Sequence, residues 1–165
     1  MTAPEGYFYA AQDADSFQTP EDAEPEEGAF YVWRYVELRN LLDEDSLNAL
    51  SEHFTFSVAG NFEGKNVLQR RHPGVLNNQA EAALARLFQA RYGQPREQLH
   101  QFPPARNNQE AKTHPWPARI PAVTDTKLIV AWNSLMISGL ARAAAVFADR
   151  TYYDIAAKAA TFILE

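Results

Sequence analysis

The sequence has 165 residues, of which 46% are hydrophobic and 22% charged, and its formal net charge is -6. These values are typical of a folded globular chain, and they exclude a disordered or fibrous protein. The acidic balance excludes a chain-wide cationic surface for nucleic acid, and the absence of cysteine excludes disulfides and thiol catalysis.

The sequence shows no targeting segment. No basic and apolar leader follows Met1, and no cysteine requires an oxidising compartment, so we expect a cytoplasmic protein. The most apolar stretch, residues 128–147, is interrupted by Trp132, Asn133 and Arg142. We therefore expect a buried helix of a soluble protein there, and neither a membrane nor nucleic acid as a partner.

Two short aromatic runs lie near the start of the chain, at residues 6–10 and 28–33, and each begins with a glycine. Aromatic runs bounded by glycine favour strands, so the two runs are predicted to pair as a β-hairpin. The polar residues between them, centred on 17–27 and containing proline, predict a surface loop.

The charges are unevenly distributed along the chain. Residues 1–30 contain eight acids and no Lys or Arg, whereas residues 69–119 contain eight bases against three acids. Three interpretations are open: two solvated surfaces of opposite sign, docking of one segment on the other, and a basic rim that attracts an anionic ligand.

Three helices are predicted between residues 34 and 93. Apolar residues at helical spacing form the first, Asp43 or Asp45 can cap the second, and the third runs from about Asn77 to Tyr92. Gly93 supplies the stop of the third helix. Between the second and third helices, the alternating residues 54–58 predict a strand, and residues 67–68 can pair back on it.

The remainder of the chain divides at the prolines. Six prolines fall in residues 94–121, which excludes a continuous helix and favours an extended connection across the surface. Asp125 is predicted to cap a long helix to about Ala148, and a last helix starts near Thr151. Its apolar pattern continues to the end of the sequence, so we expect a single fragment of a larger domain, with segments 1–93, 94–124 and 125–165.

Three blocks of sequence carry a resemblance to a known family. They are residues 6–16 with 28–33, residues 60–68 (GNFEGKNVL), and residues 119–121 with 125–137 (DTKLIVAWNSLMI). In order and spacing they resemble the central region of the thioredoxin-domain-containing family that includes the spermatogenesis-associated members. Two departures are visible: Gln12 stands where Glu is common, so it cannot act as an acid or base, and Ser134 stands where Gly is common.

The resemblance implies a mainly α fold with a small β-hairpin component. The chain would supply the early part of an (α/α)6 toroid related to N-acylglucosamine epimerases and six-hairpin glycosidases. Its partners would be a thioredoxin-like domain and later toroid segments, which this chain lacks. Thiol redox chemistry cannot be carried over, because the chain has no cysteine. An incomplete toroid exposes apolar helix faces, which also predicts self-association.

The resemblance also bears on function. It implies part of a carbohydrate-binding or sugar-processing toroid that takes a sugar or another small molecule, and we expect the chain alone to be inactive. The alternative is a non-catalytic scaffold or interaction module that accompanies a thioredoxin-like domain.

Asp13 and Asp15 form the first candidate cluster. In an extended segment they share a face, as paired carboxylates do in glycoside chemistry. Capping of a turn and binding of a hard cation are the other interpretations.

The second candidate cluster comprises Asp125, Lys127, Trp132 and Asn133. Tryptophan can stack on a sugar ring, asparagine can bond to its hydroxyls, and Asp125 is a third candidate for catalysis. Helix starts face the cavity of a toroid, so this end could line it. The structural alternative is an N-cap at Asp125, a salt bridge at Lys127 and a buried Trp–Asn pair.

The polar residues 61–66 predict a turn in which Gly64 takes a positive φ. The same loop could alternatively reach over a cavity and place Glu63 or Lys65 against a ligand. No two of the four histidines have the spacing of metal ligands, and the sequence has no phosphate-binding glycine loop or nucleophile elbow. We therefore expect neither a metal nor a cofactor.

Overall fold

A computed structural model describes residues 1–99 and 104–165, and residues 100–103 of the proline-rich connection, with one of the four histidines, lie outside the described residues. The described chain is mainly helical with small antiparallel sheets. Its helices are α1 Tyr35–Leu41, α2 Glu44–His53, α3 Asn78–Tyr92, α4 Asn108–Thr113, α5 Val130–Phe147 and α6 Arg150–Leu164, with a 3-10 helix at Arg96–Gln98. Its strands are β1 Ala11–Gln12, β2 Asp15–Ser16, β3 Glu26–Glu27, β4 Phe54–Thr55, β5 Gln69–Arg70 and β6 Thr124–Asp125.

Helices α1, α2 and α3 enclose the main hydrophobic core. Trp33, Leu38 and Leu50 are almost completely buried in it, and Ala83 and Leu87 of α3 pack against them. Burial of large apolar side chains is the main stabilising term in folding, so this three-helix unit anchors the first part of the chain.

The predicted ends of these helices are confirmed. Asp43 is the N-cap of α2 and accepts a hydrogen bond from the Ser46 amide, and Asn77 caps α3 through the Ala80 amide. Gly93 ends α3 in the left-handed conformation, with φ 81°. Short polar side chains before a helix and glycine after it therefore place these boundaries.

The strand between the second and third helices is shorter than predicted. It is confirmed at Phe54–Thr55, and it pairs with Gln69–Arg70, just beyond the predicted partner at residues 67–68. The loop between them contains the polar turn of residues 61–66, and the isolated bridge of Trp33 to Asn66 ties that loop to the core.

The N-terminal aromatic runs do not form the predicted hairpin. Phe8 makes an isolated bridge to Thr2, and Gly28, with φ 70°, starts a turn. The hairpin lies between the runs, where β2 pairs with β3. The amide and carbonyl of Phe8 bond to Asn133, and the carbonyls of residues 29–32 bond to arginines, so neither run is free to pair as a strand.

Helix α4 corrects the prediction of an extended proline-rich connection. No proline falls between Pro104 and Pro115, and Asn107 caps the helix by accepting a hydrogen bond from the Glu110 amide. Ala111 of α4 is buried in a second, smaller hydrophobic cluster. The proline-free interval and a good N-cap are sufficient for this short helix.

Basic side chains hold the acidic N-terminal segment through its backbone. Arg91 and Arg119 donate to carbonyl oxygens of residues 29–32 at 2.7–3.4 Å, and the Lys112 ammonium lies 4.6 Å from the ring centre of Phe17. In the described part of the chain, no salt bridge joins an acid of residues 1–30 to a base of residues 69–119. The two segments therefore dock through carbonyl oxygens and aromatic rings.

Helix α5 is apolar, and most of its surface is exposed. By length and composition Val130–Phe147 could cross a membrane, with a mean hydropathy of 1.3. Asn133 is the buried residue of this helix, so the prediction of a buried helix is wrong for the described chain. The reason is that α5 packs mainly on α6, which leaves Trp132 and Leu135 more than half exposed on its outer face.

The helical hairpin predicted near the end of the sequence is confirmed as α5 and α6, and the start of the chain lies against it. Tyr7 stacks on Phe162 with 4.9 Å between ring centres. The Lys158 ammonium donates to the Pro4 carbonyl at 2.9 Å. These contacts hold the hairpin to the N-terminal segment, which continues into β1.

Candidate functional site

The pairing of β1 with β6 joins two distant parts of the sequence. Ala11 lies opposite Asp125 and Gln12 lies opposite Thr124, in antiparallel register. An open cleft of about 390 Å³ lies beside this pair of strands. We call it the polar cleft, because the residues around it include Gln12, Asp13, Arg106, Thr124, Asp125 and Lys127. Three of the residues singled out from the sequence, Asp13, Asp125 and Lys127, thus meet at one place.

Asp125 does not cap α5, contrary to the prediction. The helix starts at Val130 after Ile129, and Asp125 belongs to β6. Its Oδ1 accepts a hydrogen bond from the Lys127 amide at 3.1 Å, and its Oδ2 lies 3.0 Å from the Lys127 ammonium. A carboxylate that bonds to the amide two residues on forms an Asx turn, which is an alternative to helix capping. The salt bridge at Lys127 is confirmed.

The Asp125 carboxyl is ionised at neutral pH. The hydrogen bond from the Lys127 backbone, followed by the bond from its side chain, holds the pKa of Asp125 below its ordinary value. Because the folded-state pKa is lowered, these contacts stabilise the fold above the pKa of an unfolded Asp, about 3.9, and are lost as the pH falls through the lower folded-state value. Asp125 is therefore a hydrogen-bond acceptor at neutral pH and not a proton donor.

Asp13 and Asp15 occupy different places. Asp13 lines the polar cleft, and its Oδ1 accepts a hydrogen bond from the Asp15 amide at 3.2 Å. Asp15 lies in β2 opposite Glu27 and does not line the cleft. Of the three interpretations, capping of a turn is the one that needs no ligand, and it describes the observed bond of Asp13. Within residues 1–99 and 104–165, no three His, Asp or Glu side chains form a group that could hold a metal ion.

Arg106 is a cleft residue that the sequence did not single out. It pairs with Glu110 four residues on, at 3.0 Å, which leaves its guanidinium at the exposed edge of the cleft. The sequence could have predicted only its ion pair with Glu110, because residues four apart are neighbours on a helix. Its position beside Asp13 depends on the pairing of β1 with β6.

Asn133 fixes the start of the chain to α5. Its Oδ1 accepts from the Phe8 amide at 2.8 Å, and its Nδ2 donates to the carbonyls of Phe8 and Ile129 at 3.0 and 3.2 Å. The residue is 2% exposed, whereas the neighbouring Trp132 is 55% exposed. Trp132 and Asn133 therefore do not form the predicted buried pair. The side-chain amide of Asn133 joins the start of the chain to α5.

Asn61 and Asn66 make the same kind of contact. The Asn61 side chain bonds to both the amide and the carbonyl of Val67, and the Asn66 side chain bonds in the same way to Ser57. Each amide side chain thus pairs with one residue as a neighbouring strand would. The two asparagines of the GNFEGKNVL block and Asn133 are thus accounted for by backbone pairing, which was not predicted from the sequence.

Glu63 lies at the exposed tip of the loop of residues 61–66, with φ 48°, and is not part of the polar cleft. Gly64 follows it with φ 75°, which confirms the predicted positive φ. The bridge of Phe62 to Lys65 closes the turn. Residues 61–66 therefore form the polar turn that was one of the two interpretations of this loop.

Two glycines of this loop provide a matched test of its packing. Gly60 and Gly64 both have positive φ, but a Cβ on Gly60 would lie 2.4 Å from the Lys65 carbonyl oxygen, whereas a Cβ on Gly64 meets open space. We expect Gly64→Ala to lower the free energy of unfolding by about 1 kcal/mol through backbone strain alone. Gly60→Ala should cost at least about 2 kcal/mol, because the backbone must also move. Urea denaturation measures both, and equal losses would contradict the close approach at Gly60.

No family model matches this chain. Homologues do exist over most of its length, and the mammalian ones have the name that the three sequence blocks led us to expect. The chain is similar to Spermatogenesis-associated protein 20 of Homo sapiens, with 30% identity over 96% of the chain, and to that of Rattus norvegicus, with 32% identity over 96%. An uncharacterized protein of Caenorhabditis elegans is 29% identical, also over 96%.

These similarities are consistent with the spermatogenesis-associated family. The chain spans about a fifth of the length of these relatives, 21% of the human protein and 22% of the nematode protein. Any activity, substrate or partner of the longer proteins is therefore a proposal for this chain.

Proposed function

We propose that this chain binds a sugar in the polar cleft, as the early part of a larger helical toroid of the six-hairpin type. The pairing of β1 with β6 is the observation that carries the proposal, because it brings Asp13, Asp125 and Lys127 to one open cleft. The resemblance stated above supplies the class of ligand, an N-acyl sugar or a related polyhydroxylated molecule.

The chemistry of the cleft suits binding of such a ligand. Sugar hydroxyls both donate and accept hydrogen bonds, and the cleft offers the carboxylates of Asp13 and Asp125 as acceptors with Lys127 and Arg106 as donors. Lys127 already pairs with Asp125, and Arg106 with Glu110. A neutral polyol can therefore bond to these groups without leaving a charge uncompensated.

Binding without turnover is the activity proposed for the chain alone. Hydrolysis of a glycoside needs one protonated carboxyl as general acid beside an ionised one. The lowered pKa of Asp125 makes it an acceptor, so it does not supply that acid. Asp13, the other carboxylate of the cleft, is a ligand-binding group in this proposal. The acid for catalysis would come from a later toroid segment or from a thioredoxin-like partner domain.

A non-catalytic scaffold is the second candidate function. It is favoured by Asn133, whose amide is bonded to three backbone groups and has no free donor for a ligand. In this alternative, the exposed outer face of α5 contacts further segments of the protein, and the polar cleft stays empty.

A calorimetric titration with N-acetylglucosamine separates the two functions. We expect saturable binding to the chain, and we expect Asp125→Asn to weaken it about tenfold, because a hydrogen bond to a charged group contributes about 1.5–3 kcal/mol. Asp45→Asn, at an exposed site on α2 away from the cleft, should bind as the unchanged chain does. Absence of binding would favour the scaffold, and turnover by this chain alone would contradict the proposed division between binding and catalysis.

A further inference from the structure

A second cleft, separate from the polar cleft, lies where three distant segments meet. It encloses about 190 Å³ beside α1. Arg34 reaches it from the start of α1, Lys65 from the loop of residues 61–66, and Arg119 from the end of the proline-rich connection. We call it the cationic cleft, after these three side chains.

Arg119 forms a rigid wall of the cationic cleft. Its Nη1 donates to the carbonyls of Phe30 and Val32 at 3.1 and 2.7 Å, and its guanidinium lies 3.9 Å from the ring centre of Trp33. Burial lowers the pKa of the Arg119 guanidinium, but an arginine stays charged at neutral pH. Its closest carboxylate oxygen is that of Glu37 at 3.5 Å, so its charge is held in place at the wall.

Lys65 also lines the cationic cleft. Its side chain is only 11% exposed and bonds to the Glu26 carboxylate. The contact with Lys65 is the largest cause of the low pKa of Glu26, and the bond from Gln18 lowers it further, so the Glu26 carboxylate is ionised at neutral pH. A largely buried ammonium at the edge of a cleft is less screened by solvent than one on the surface.

Arg34 provides the adaptable group. Among the described residues, the acceptor of its guanidinium is the Gln18 side chain, at 3.1 Å. A guanidinium has five N–H donors in a planar fork, so several of those of Arg34 remain for a ligand. The side chain is exposed, which allows it to move onto a bound group.

The charges of the cationic cleft do not cancel. Of the described residues that line it, three are cations and one, Glu37, is an acid, while Glu26 bonds to Lys65 from outside the lining. Asp22 and Lys112 contact the lining residues Gln18 and Phe17 and add one charge of each sign. One positive charge is left over, and Phe17 and Val32 provide an apolar surface beside it. A volume of about 190 Å³ corresponds to about six water molecules, which limits the occupant to a small molecule.

We propose that the cationic cleft binds a small molecule that carries one oxyanion on an apolar body, either a carboxylate or a phosphate ester. The oxyanion receives bidentate hydrogen bonds from Arg34 and the field of Lys65 and Arg119, and the apolar body lies on Phe17 and Val32. This site is independent of the sugar proposed for the polar cleft, since the two clefts share no lining residue.

Calorimetric titrations of the 165-residue chain with phenyl phosphate, benzoate and phenol, at matched ionic strength, test the proposal. We expect saturable binding of at least one of the two anions and none of phenol, which has the ring but no oxyanion at neutral pH. The anion that binds identifies the head group. Arg34→Gln should weaken its binding at least about tenfold, because charge-assisted hydrogen bonds are lost.

Arg39→Gln is the matched control. Arg39 is exposed on α1, the helix that begins directly after Arg34, and does not line the cationic cleft, so its replacement should change the affinity less than about twofold. Arg34 is exposed as well, so the unfolding midpoint of Arg34→Gln should match that of the unchanged chain, which separates lost binding from lost folding. Saturation by neither anion, equal binding of phenol, or equal losses for the two variants would overturn the proposal.

Discussion

Replacing Asn133 by alanine is expected to lower the free energy of unfolding by about 3 kcal/mol. The substitution leaves the amide and carbonyl of the half-buried Phe8 without their partner, and an unsatisfied group costs about 1–3 kcal/mol where it is fully buried. It also releases the N-terminal segment from α5. Urea denaturation followed by circular dichroism measures the loss.

Two further variants identify the cause of that loss. Asn133→Asp keeps the acceptor for the Phe8 amide but removes both donors and places a carboxylate at a buried position, so it should also be strongly destabilising. Ser134→Ala, the next residue on α5, is exposed and loses only a bond within its own helix, so it should change stability by less than about 0.5 kcal/mol. A small effect of Asn133→Ala would show that the start of the chain is not held by this amide.

Replacing Arg119 by methionine is expected to lower the free energy of unfolding by about 3 kcal/mol. Methionine keeps the length and apolar stem of the side chain, so the change isolates the guanidinium. That group is the common partner of the carbonyls of Ala29, Phe30 and Val32, and it stacks on the buried Trp33. The substitution removes several charged hydrogen bonds and a largely desolvated cation–π contact, each of which contributes about 1–3 kcal/mol in isolation. The total loss is smaller than the sum, because contributions of groups in contact are not additive.

Arg142→Met is the control for this substitution. Arg142 lies on the exposed surface of α5, so the same chemical change there should alter stability by less than about 0.5 kcal/mol. Denaturation followed by tryptophan fluorescence suits the Arg119 variant, since Trp33 is the ring under the guanidinium. Equal stability of the two variants would mean that the turn of residues 28–31 does not depend on Arg119.

Local signals account for the parts of the fold that the sequence predicted well. Asp43, Asn77 and Gly93 lie at helix ends because capping bonds and left-handed backbone are properties of a few neighbouring residues. The start of α5 was predicted wrongly for a related reason. Asp125 has a good capping side chain, but that side chain bonds to the Lys127 amide, and the helix begins only at Val130.

Long-range pairing accounts for what the sequence could not predict. β1 and β6 are two residues long, too short for the alternation that identifies a strand, and each finds its partner more than a hundred residues away. The polar cleft depends on that pairing. Asp13 and Asp125 could be chosen as candidates from their chemistry, but their meeting, and the arrival of Arg106 beside them, could not.

Of the asparagines, Asn133 was a candidate for ligand binding, with a structural role as the alternative, and the structure uses its side chain for pairing with the backbone. An amide side chain offers one acceptor and two donors, so it serves a sugar hydroxyl and a peptide group equally well. At Asn133, Asn66 and Asn61 the peptide group is the observed partner. The candidate site therefore narrows to the charged residues of the polar cleft.

The location of bound sugar tests the central proposal most directly. An NMR titration of the chain with N-acetylglucosamine, read from the backbone amides, should shift Gln12, Asp13, Thr124 and Lys127 most, because they surround the polar cleft. The amides of Glu63 and its turn should stay unchanged, since they lie outside that cleft. Shifts that are absent, or that are largest away from the pairing of β1 with β6, would contradict sugar binding at this cleft.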